Sequence, residues 1–377
     1  MGTRVQQPGV GTTKTEYFTF AHPPNEFVLE SGQKLGPITI AYETYGLLNK
    51  NKSNAVLLLH PSTEDANAAG FHAGSTQRGW WDNMVGPGKA FDTRFLFVIC
   101  SNVLGGCGGS TGPSSINPQT GKPWALDFPV VTIADMVNAQ RHLIDFLGIE
   151  KLLCVAGAQL GGMQALQWVA SYPRRVRSAI PIATTLRHSP QQIAFNEVTR
   201  QAITADAEWR KGYYYGFGRP ETGLAVARMI QNITQMSDRI MEEKFSRRLK
   251  DPGDTGFFTD DFEVEGYTKY RNDRFVKEFD ANSYLYITKA MDQFDLSRGK
   301  LFASGRPIRT RFMVVGYLSD WLYPPYQALE IVRELKSHKV DATYCEINSK
   351  YGHNAFLMAA DEQTHLIRHF VQTDIFW

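Results

Sequence analysis

The chain has 377 residues, 43% of them hydrophobic, and a formal charge of +2 from 40 basic and 38 acidic side chains. A core of ordinary size is available, and the even charge balance argues against a nucleic-acid or acidic-surface partner. The four cysteines, Cys100, Cys107, Cys154 and Cys345, lack the paired spacing of a zinc site and the density of a secreted disulfide framework.

Residues 1–25 read as a loose N-terminal arm, and Met1–Tyr17 has no apolar signal core. No run approaches the roughly 20 apolar residues of a membrane span, so a cytoplasmic protein is expected. Ile38–Tyr45 alternates as a strand. Ala55–Leu59, Phe95–Cys100 and Leu152–Ala156 are short continuous apolar runs, as in strands buried on both faces of a parallel sheet. Thr132–Leu147 has helical spacing, with Thr132 placed to cap it and Gly148 to end it. A second helix runs from Leu160 to Tyr172 and stops at Pro173. Thr310–Val315 and Ala342–Ile347 are two more strands, each followed by a helix, opened by Pro324–Pro325 and spanning Asn354–Ala360 respectively. Residues 188–300 break this alternation with charged, helically spaced sequence, interrupted at Gly216–Pro220 and Asp251–Gly256. The pattern predicts a doubly wound α/β core over 26–187 and 301–377, with a helical lid inserted at 188–300.

One motif concentrates the chemistry. Gly157-Ala158-Gln159-Leu160-Gly161 has the frame of a Gly-x-Ser-x-Gly nucleophile elbow, with glutamine in the serine position. An amide nitrogen shares its lone pair with the carbonyl and cannot be activated as a nucleophile. Asp320 follows a predicted strand and His353 follows the last one. The chain order of elbow, Asp and His is that of an α/β-hydrolase triad, at the carboxyl ends of strands where such sheets bind ligands. Ser62 is a substitute nucleophile by position, but a turn role is preferred. Cys107 reads as a loop residue, and Gly105–Gly109 lacks the spacing and lysine of a phosphate loop. No His/Cys/Asp group has metal-ligand spacing, so no metal is expected.

These positions belong to longer stretches: Gly79–Asp92, Ser101–Cys107, Gly109–Pro118, Gly162–Trp168, Phe195–Ile203 and Asn282–Asp292. Through them the chain, from about residue 17 onward, closely resembles the homoserine O-acetyltransferase family, which includes fungal O-acetyltransferases of secondary metabolism. The resemblance implies an α/β-hydrolase fold, a mostly parallel doubly wound sheet, with a helical lid that often mediates a homodimer. It implies a base at His353 oriented by Asp320, and ping-pong transfer of acetyl from acetyl-CoA through a serine that is Gln159 here. The family's oxyanion loop corresponds to His60–Glu64, where the amides of Ser62 and Leu160 are the expected donors. Arg228 matches the family's lid arginine and suits a substrate carboxylate. Thr63, Gln235 and Asn354 complete the expected substrate contacts. Gln235 and Asn354 replace the family's tyrosine and aspartate, and Glu64 adds a charge to the oxyanion loop.

The changes cluster at the reacting centre while the scaffold persists. The leading expectation is therefore an enzyme without an acyl-enzyme intermediate. His353–Asp320 would act as base, the oxyanion loop would stabilise an enolate or alkoxide, and Gln159 would hold the substrate. Isomerisation, cyclisation, elimination or retro-aldol chemistry on a small carbonyl metabolite of secondary metabolism fits that equipment, with no cofactor required. Direct acetyl transfer in a ternary complex, the one case in which acetyl-CoA binds, stands beside it. So does a catalytically inactive protein that binds a ligand or an active homologue. The expected partners are a small-molecule substrate and a second copy docked through the lid, with no nucleic acid and no membrane.

Overall fold

The computed structural model describes residues 9–250, 261–270, 272–358 and 360–376. The interruption expected at Asp251–Gly256 and the first eight residues of the arm lie outside them. Eight strands form the main sheet: β1 Glu16–Phe20, β2 Ile38–Tyr45, β3 Ala55–Leu59, β4 Phe97–Ser101, β5 Leu152–Ala158, β6 Val176–Ile182, β7 Arg311–Tyr317 and β8 Ala342–Ile347. Their spatial order is β8-β7-β6-β5-β3-β4-β2-β1. Pairing is parallel from β8 through β4 and antiparallel at β4–β2 and β2–β1. This is the mostly parallel, doubly wound sheet expected.

Burial explains why the central runs are apolar without alternation. Every residue of β3 and β5 is buried, because helices cover both faces. Two apolar clusters result. One contains Leu57, Val155 and Trp168, the other Val56, Cys154 and Ile180. Helix α1, Ile133–Phe146, starts where its cap predicts. The Thr132 hydroxyl accepts from the Asp135 amide at 3.1 Å, and the Asp135 carboxylate accepts from the Thr132 amide at 3.0 Å. Gln140 lies on its buried face because it bridges the Gln164 amide and the Trp168 indole.

Two segments differ from the sequence reading. Part of the expected loose arm is strand β1, paired with β2 at the sheet edge. Strand β6 was not evident in its sequence, since Arg177 and Pro181 interrupt the apolar run and proline argues against a central strand. Pairing with β5 on one side and β7 on the other outweighs that local preference.

After β5 comes α2, Leu160–Ser171. Between β6 and β7 lie six α-helices among the described residues: α3 Pro190–Ala205, α4 Glu221–Gln235, α5 Asp238–Phe245, α6 Glu263–Tyr270, α7 Asn272–Glu278 and α8 Ala281–Gln293. Helix α9, Pro325–Ser337, follows β7. The short α10, Ala355–Met358, and α11, Ala360–Phe376, follow β8. Among the described residues, no helix is long and apolar enough to cross a membrane.

Candidate active site

The elbow is built by glycine. A Cβ on Gly161 would lie 1.9 Å from the Leu59 carbonyl oxygen, and one on Gly157 would lie 2.5 Å from the same atom. Only bare backbone lets β5 turn this tightly into α2. Gln159 sits at the apex with φ +55° and ψ −116°, a conformation that costs a non-glycine residue about 1–3 kcal/mol. Two hydrogen bonds hold it there. The Gln159 amide donates to the Ile182 carbonyl at 3.1 Å, and the Thr184 hydroxyl donates to the Gln159 carbonyl at 2.8 Å.

The Gln159 side chain reaches back to the oxyanion loop. Its Oε1 accepts from the Ser62 amide at 3.1 Å and from the Ser62 hydroxyl at 2.9 Å. A carbonyl oxygen of the protein thus rests on a donor expected to receive a substrate oxyanion. The Ser62 proton is committed to this amide, which argues against Ser62 as a substitute nucleophile. Leu160 opens α2, where the first amides of a helix have no acceptor within the helix. His60 anchors the loop from behind. Its Nε2 accepts from the Val103 amide at 3.2 Å, so Nδ1 carries the proton and donates to the Pro61 carbonyl at 2.8 Å. Burial holds His60 below the usual histidine range, consistent with a neutral ring.

The candidate base stands opposite. His353 lies in the turn after β8 and is 1% exposed. Its Nδ1 meets Asp320 Oδ2 at 2.7 Å. The other oxygen, Asp320 Oδ1, accepts from the amides of Leu322 at 3.0 Å and Tyr323 at 2.8 Å. With Nδ1–H donated to Asp320, Nε2 presents a lone pair. It is buried and has no hydrogen-bond partner among the described residues. A buried polar atom without a partner requires an explanation, and a proton-accepting role supplies one.

The lid closes over this dyad. Ser237 donates to the Lys350 carbonyl and Trp321 Nε1 to the Met236 carbonyl at 2.8 Å. Gly352 has φ +65°, and a Cβ there would lie 2.5 Å from the Ser237 amide nitrogen. The His353 turn therefore packs directly on the start of α5.

A cavity of about 500 Å³ opens between base and elbow. It is lined by Thr63, Glu64, Gln159, Arg228, Gln235, His353 and Asn354, which unites most of the residues singled out in the sequence. Asp320 lies behind His353, and Ser62 behind the Gln159 amide. Arg228 donates to Thr63 Oγ1 at 3.2 Å and to Gln231 Oε1 at 3.0 Å, and its guanidinium lies 4.6 Å from the Phe275 ring centre. Cys107 accepts from the Asp280 amide at 3.4 Å, and burial pushes its thiol up to about 12, so it serves as a loop strut. Among the described residues, no group of three or more His, Cys, Asp or Glu side chains is placed to hold a metal.

Residues 56–360 match the α/β hydrolase fold family. The homoserine O-acetyltransferase of Methanohalobium evestigatum is 54% identical over 364 residues, spanning 96% of this chain and 74% of that protein. The chain belongs to the homoserine O-acetyltransferase family. The crystal structure of the family member from Bacillus anthracis superposes with a TM-score of 0.86 at 30% identity, over 96% of this chain and 98% of that one. Esterase E22 also superposes with a TM-score of 0.86 at 30% identity, over 96% and 100% of the two chains.

Within this family member, the sequence reading gave no individual role to four residues at or behind the site. His60 had a signal, since it directly follows β3 at the carboxyl end of the sheet. Tyr323 had one in standing three residues beyond Asp320. Lys244 and Tyr267 line the cavity from α5 and α6, with Lys244 Nζ 3.7 Å from the Tyr267 ring centre. Nothing in their spacing marks them, because distant helices bring them together only in the folded lid.

Proposed function

We propose that this protein transfers an acetyl group from acetyl-CoA directly to the hydroxyl of a small carboxylate-bearing alcohol, homoserine being the first candidate, without an acyl-enzyme intermediate. One observation carries this reading. The base His353 keeps its aspartate and an open Nε2, while the elbow offers an amide that lies on the Ser62 donor. The relatives are named for acetyl transfer. That favours transfer over isomerisation, cyclisation, elimination or retro-aldol chemistry.

In this mechanism both substrates are bound together. Arg228 takes the acceptor carboxylate, and Asn354 and Gln235 line the same cavity as neutral hydrogen-bonding groups. The Gln159 carboxamide swings off Ser62 as the thioester carbonyl enters. His353 Nε2 removes the acceptor hydroxyl proton, and that oxygen attacks the acetyl carbon. The resulting oxyanion is held by the amides of Ser62 and Leu160. The C–S bond then breaks, and His353 returns the proton to the departing CoA thiolate. Asp320 stabilises the imidazolium between these steps.

Initial rates measured against both substrates, with CoA thiol release as the signal, test this. Intersecting double-reciprocal lines and no acetylated protein by intact mass are expected. Parallel lines with an acetylated protein would overturn it. A second reading, a ligand-binding protein without turnover, draws on Gln159 filling its own oxyanion loop. Acetyl-CoA binding by calorimetry, with no thiol released across an alcohol panel, would favour that reading.

A further inference from the structure

We propose that Tyr323 is a positioning residue for His353, and that the buried pair His188–Asp292 exists to fix Tyr323. The inference rests on the reading of His353 as the base. It begins from a second histidine–aspartate pair that neither the motif nor the mechanism uses.

Tyr323 touches both members of the dyad. Its amide donates to Asp320 Oδ1 at 2.8 Å. Its ring stacks on the His353 imidazole, with centres 4.9 Å apart and planes 27° from parallel. The residue is only 3% exposed, so its phenol oxygen needs a partner. That partner is His188 Nε2 at 2.8 Å. His188 Nδ1 in turn meets Asp292 Oδ1 at 2.9 Å. Asp292 also accepts from Asn196 Nδ2 and from Arg200 Nη1, each at 2.7 Å.

The polarity of this chain follows from its ends. Arg200 Nη1 bonds the other Asp292 oxygen, while the rest of its guanidinium pairs with Glu197. A ring with its proton on Nδ1 faces the carboxylate with a donor and faces Tyr323 with a lone pair. The tyrosine hydroxyl then donates to His188 Nε2. The tautomer is assigned from the network. Tyr323 is thereby pinned at both ends, by its amide on Asp320 and by its hydroxyl on His188. A ring held in this way cannot slide, and the imidazole lying on it keeps the orientation in which Nδ1 meets Asp320.

Two further features connect the pair to the site. A chamber of about 30 Å³ is lined by His188 and Tyr323 together with Gln159 and Ser62, space for about one water. Asn196 and Arg200 lie on α3 and Asp292 on α8. The placement of these two helices is thus transmitted to the back wall of the base.

The test uses the full chain, and its first readout needs no substrate. Downfield proton NMR reports the imidazole N–H of each histidine, assigned by loss of signal in His353→Gln and His188→Leu. A pH titration of the ring nitrogens reports the protonation midpoint of His353. Tyr323→Phe keeps the stacked ring and removes the tether. It is expected to shift or broaden the His353 signal, move its midpoint, and lower kcat by about tenfold or less with KM nearly constant. His188→Leu should do the same, while His188→Gln, which retains an acceptor for the hydroxyl, should stay near wild type. If Tyr323→Phe does not fold, the two His188 variants carry the comparison. An unchanged His353 signal and midpoint in both Tyr323→Phe and His188→Leu would overturn the inference. Unaltered acetyl transfer in His353→Gln would instead sink the proposed mechanism itself, so the two failures are distinguishable.

Discussion

Two imidazoles of this protein are each held through Nδ1 by a buried carboxylate, and they differ at the other nitrogen. His353 Nε2 has no partner among the described residues, and the residue lines the cavity shared with Gln159. His188 Nε2 is closed by the Tyr323 hydroxyl. The carboxylates differ too. Asp320 is fixed by two backbone amides, which orient it without cancelling its charge. Asp292 pairs with Arg200, whose guanidinium also pairs with Glu197. A histidine–aspartate pair is thus equipped for the proposed role of base where no cation pairs with its carboxylate and its far nitrogen opens to a ligand. Where arginine and tyrosine close both ends, the same pair becomes a strut.

The largest expected effect separates the two. His353→Gln should lower turnover by roughly 10²- to 10⁴-fold, the usual range for a general base, with little change in stability. His188→Leu should lower turnover about tenfold or less, yet destabilise the fold by about 2 kcal/mol by leaving Tyr323 and Asp292 short of a partner. Rates of CoA release and urea denaturation of both variants provide the comparison. Equal losses of activity in the two would erase the distinction between base and strut.

The struts also respond to acid. Burial alone would raise the Asp292 carboxyl, but bonds from His188, Asn196 and Arg200 together hold it below the ordinary 3.8. A carboxyl depressed in the folded state contributes stability above its unfolded value and loses it as pH falls through the folded one. Asp292→Asn should therefore cost about 3 kcal/mol at neutral pH, where it takes from Arg200 its buried partner and leaves it only the more exposed Glu197. The gap from wild type should close as pH drops below 3.8. Denaturation midpoints of both proteins between neutral and acid pH measure it. A gap independent of pH would mean that Asp292 packs rather than pairs.

Much of this site was legible in the sequence because it depends on local chain order. The elbow frame requires glycines at fixed offsets, and the strand ends place Asp320 and His353 whatever the lid does. The cap of α1 was legible for the same reason. The His188–Asp292 pair was not, since its members are 104 residues apart and meet only when α3 and α8 pack. Strand β6 escaped notice because Pro181 obscures a run that only its two neighbours complete. The contact between Gln159 Oε1 and Ser62 was equally hidden. It needs the geometry of two loops that lie 97 residues apart.

The open nitrogen of His353 can be probed by returning a nucleophile. Gln159→Ser keeps the apex backbone, which the neighbouring glycines set, and removes the amide from Ser62. A single acetyl group on the protein after mixing with acetyl-CoA, and a change from intersecting to parallel initial-rate lines, are expected. Loss of acetylation on adding His353→Gln would locate the effect at that nitrogen. A serine variant that remains unacetylated would place Nε2 out of reach of the elbow, and would weaken the contrast with His188.

The smallest effect concerns how the lid holds the open pair. Ser237 caps α5 by accepting from the Ile240 amide at 3.2 Å, and its hydroxyl donates to the Lys350 carbonyl in the His353 turn. One side chain therefore serves a helix end and the His353 turn. Ser237→Ala removes both bonds and should cost about 1 kcal/mol, the usual value of an N-cap. The Gly352 contact and the Trp321 bond to Met236 remain, so the turn should loosen rather than detach. Turnover should fall only slightly, the His353 N–H signal should broaden, and the His188 signal should not move. Thermal melting and the same downfield spectrum read both effects. Broadening of the two signals together would show that the lid holds base and strut as one unit, and the separation drawn between them would then be one of chemistry and not of mechanics.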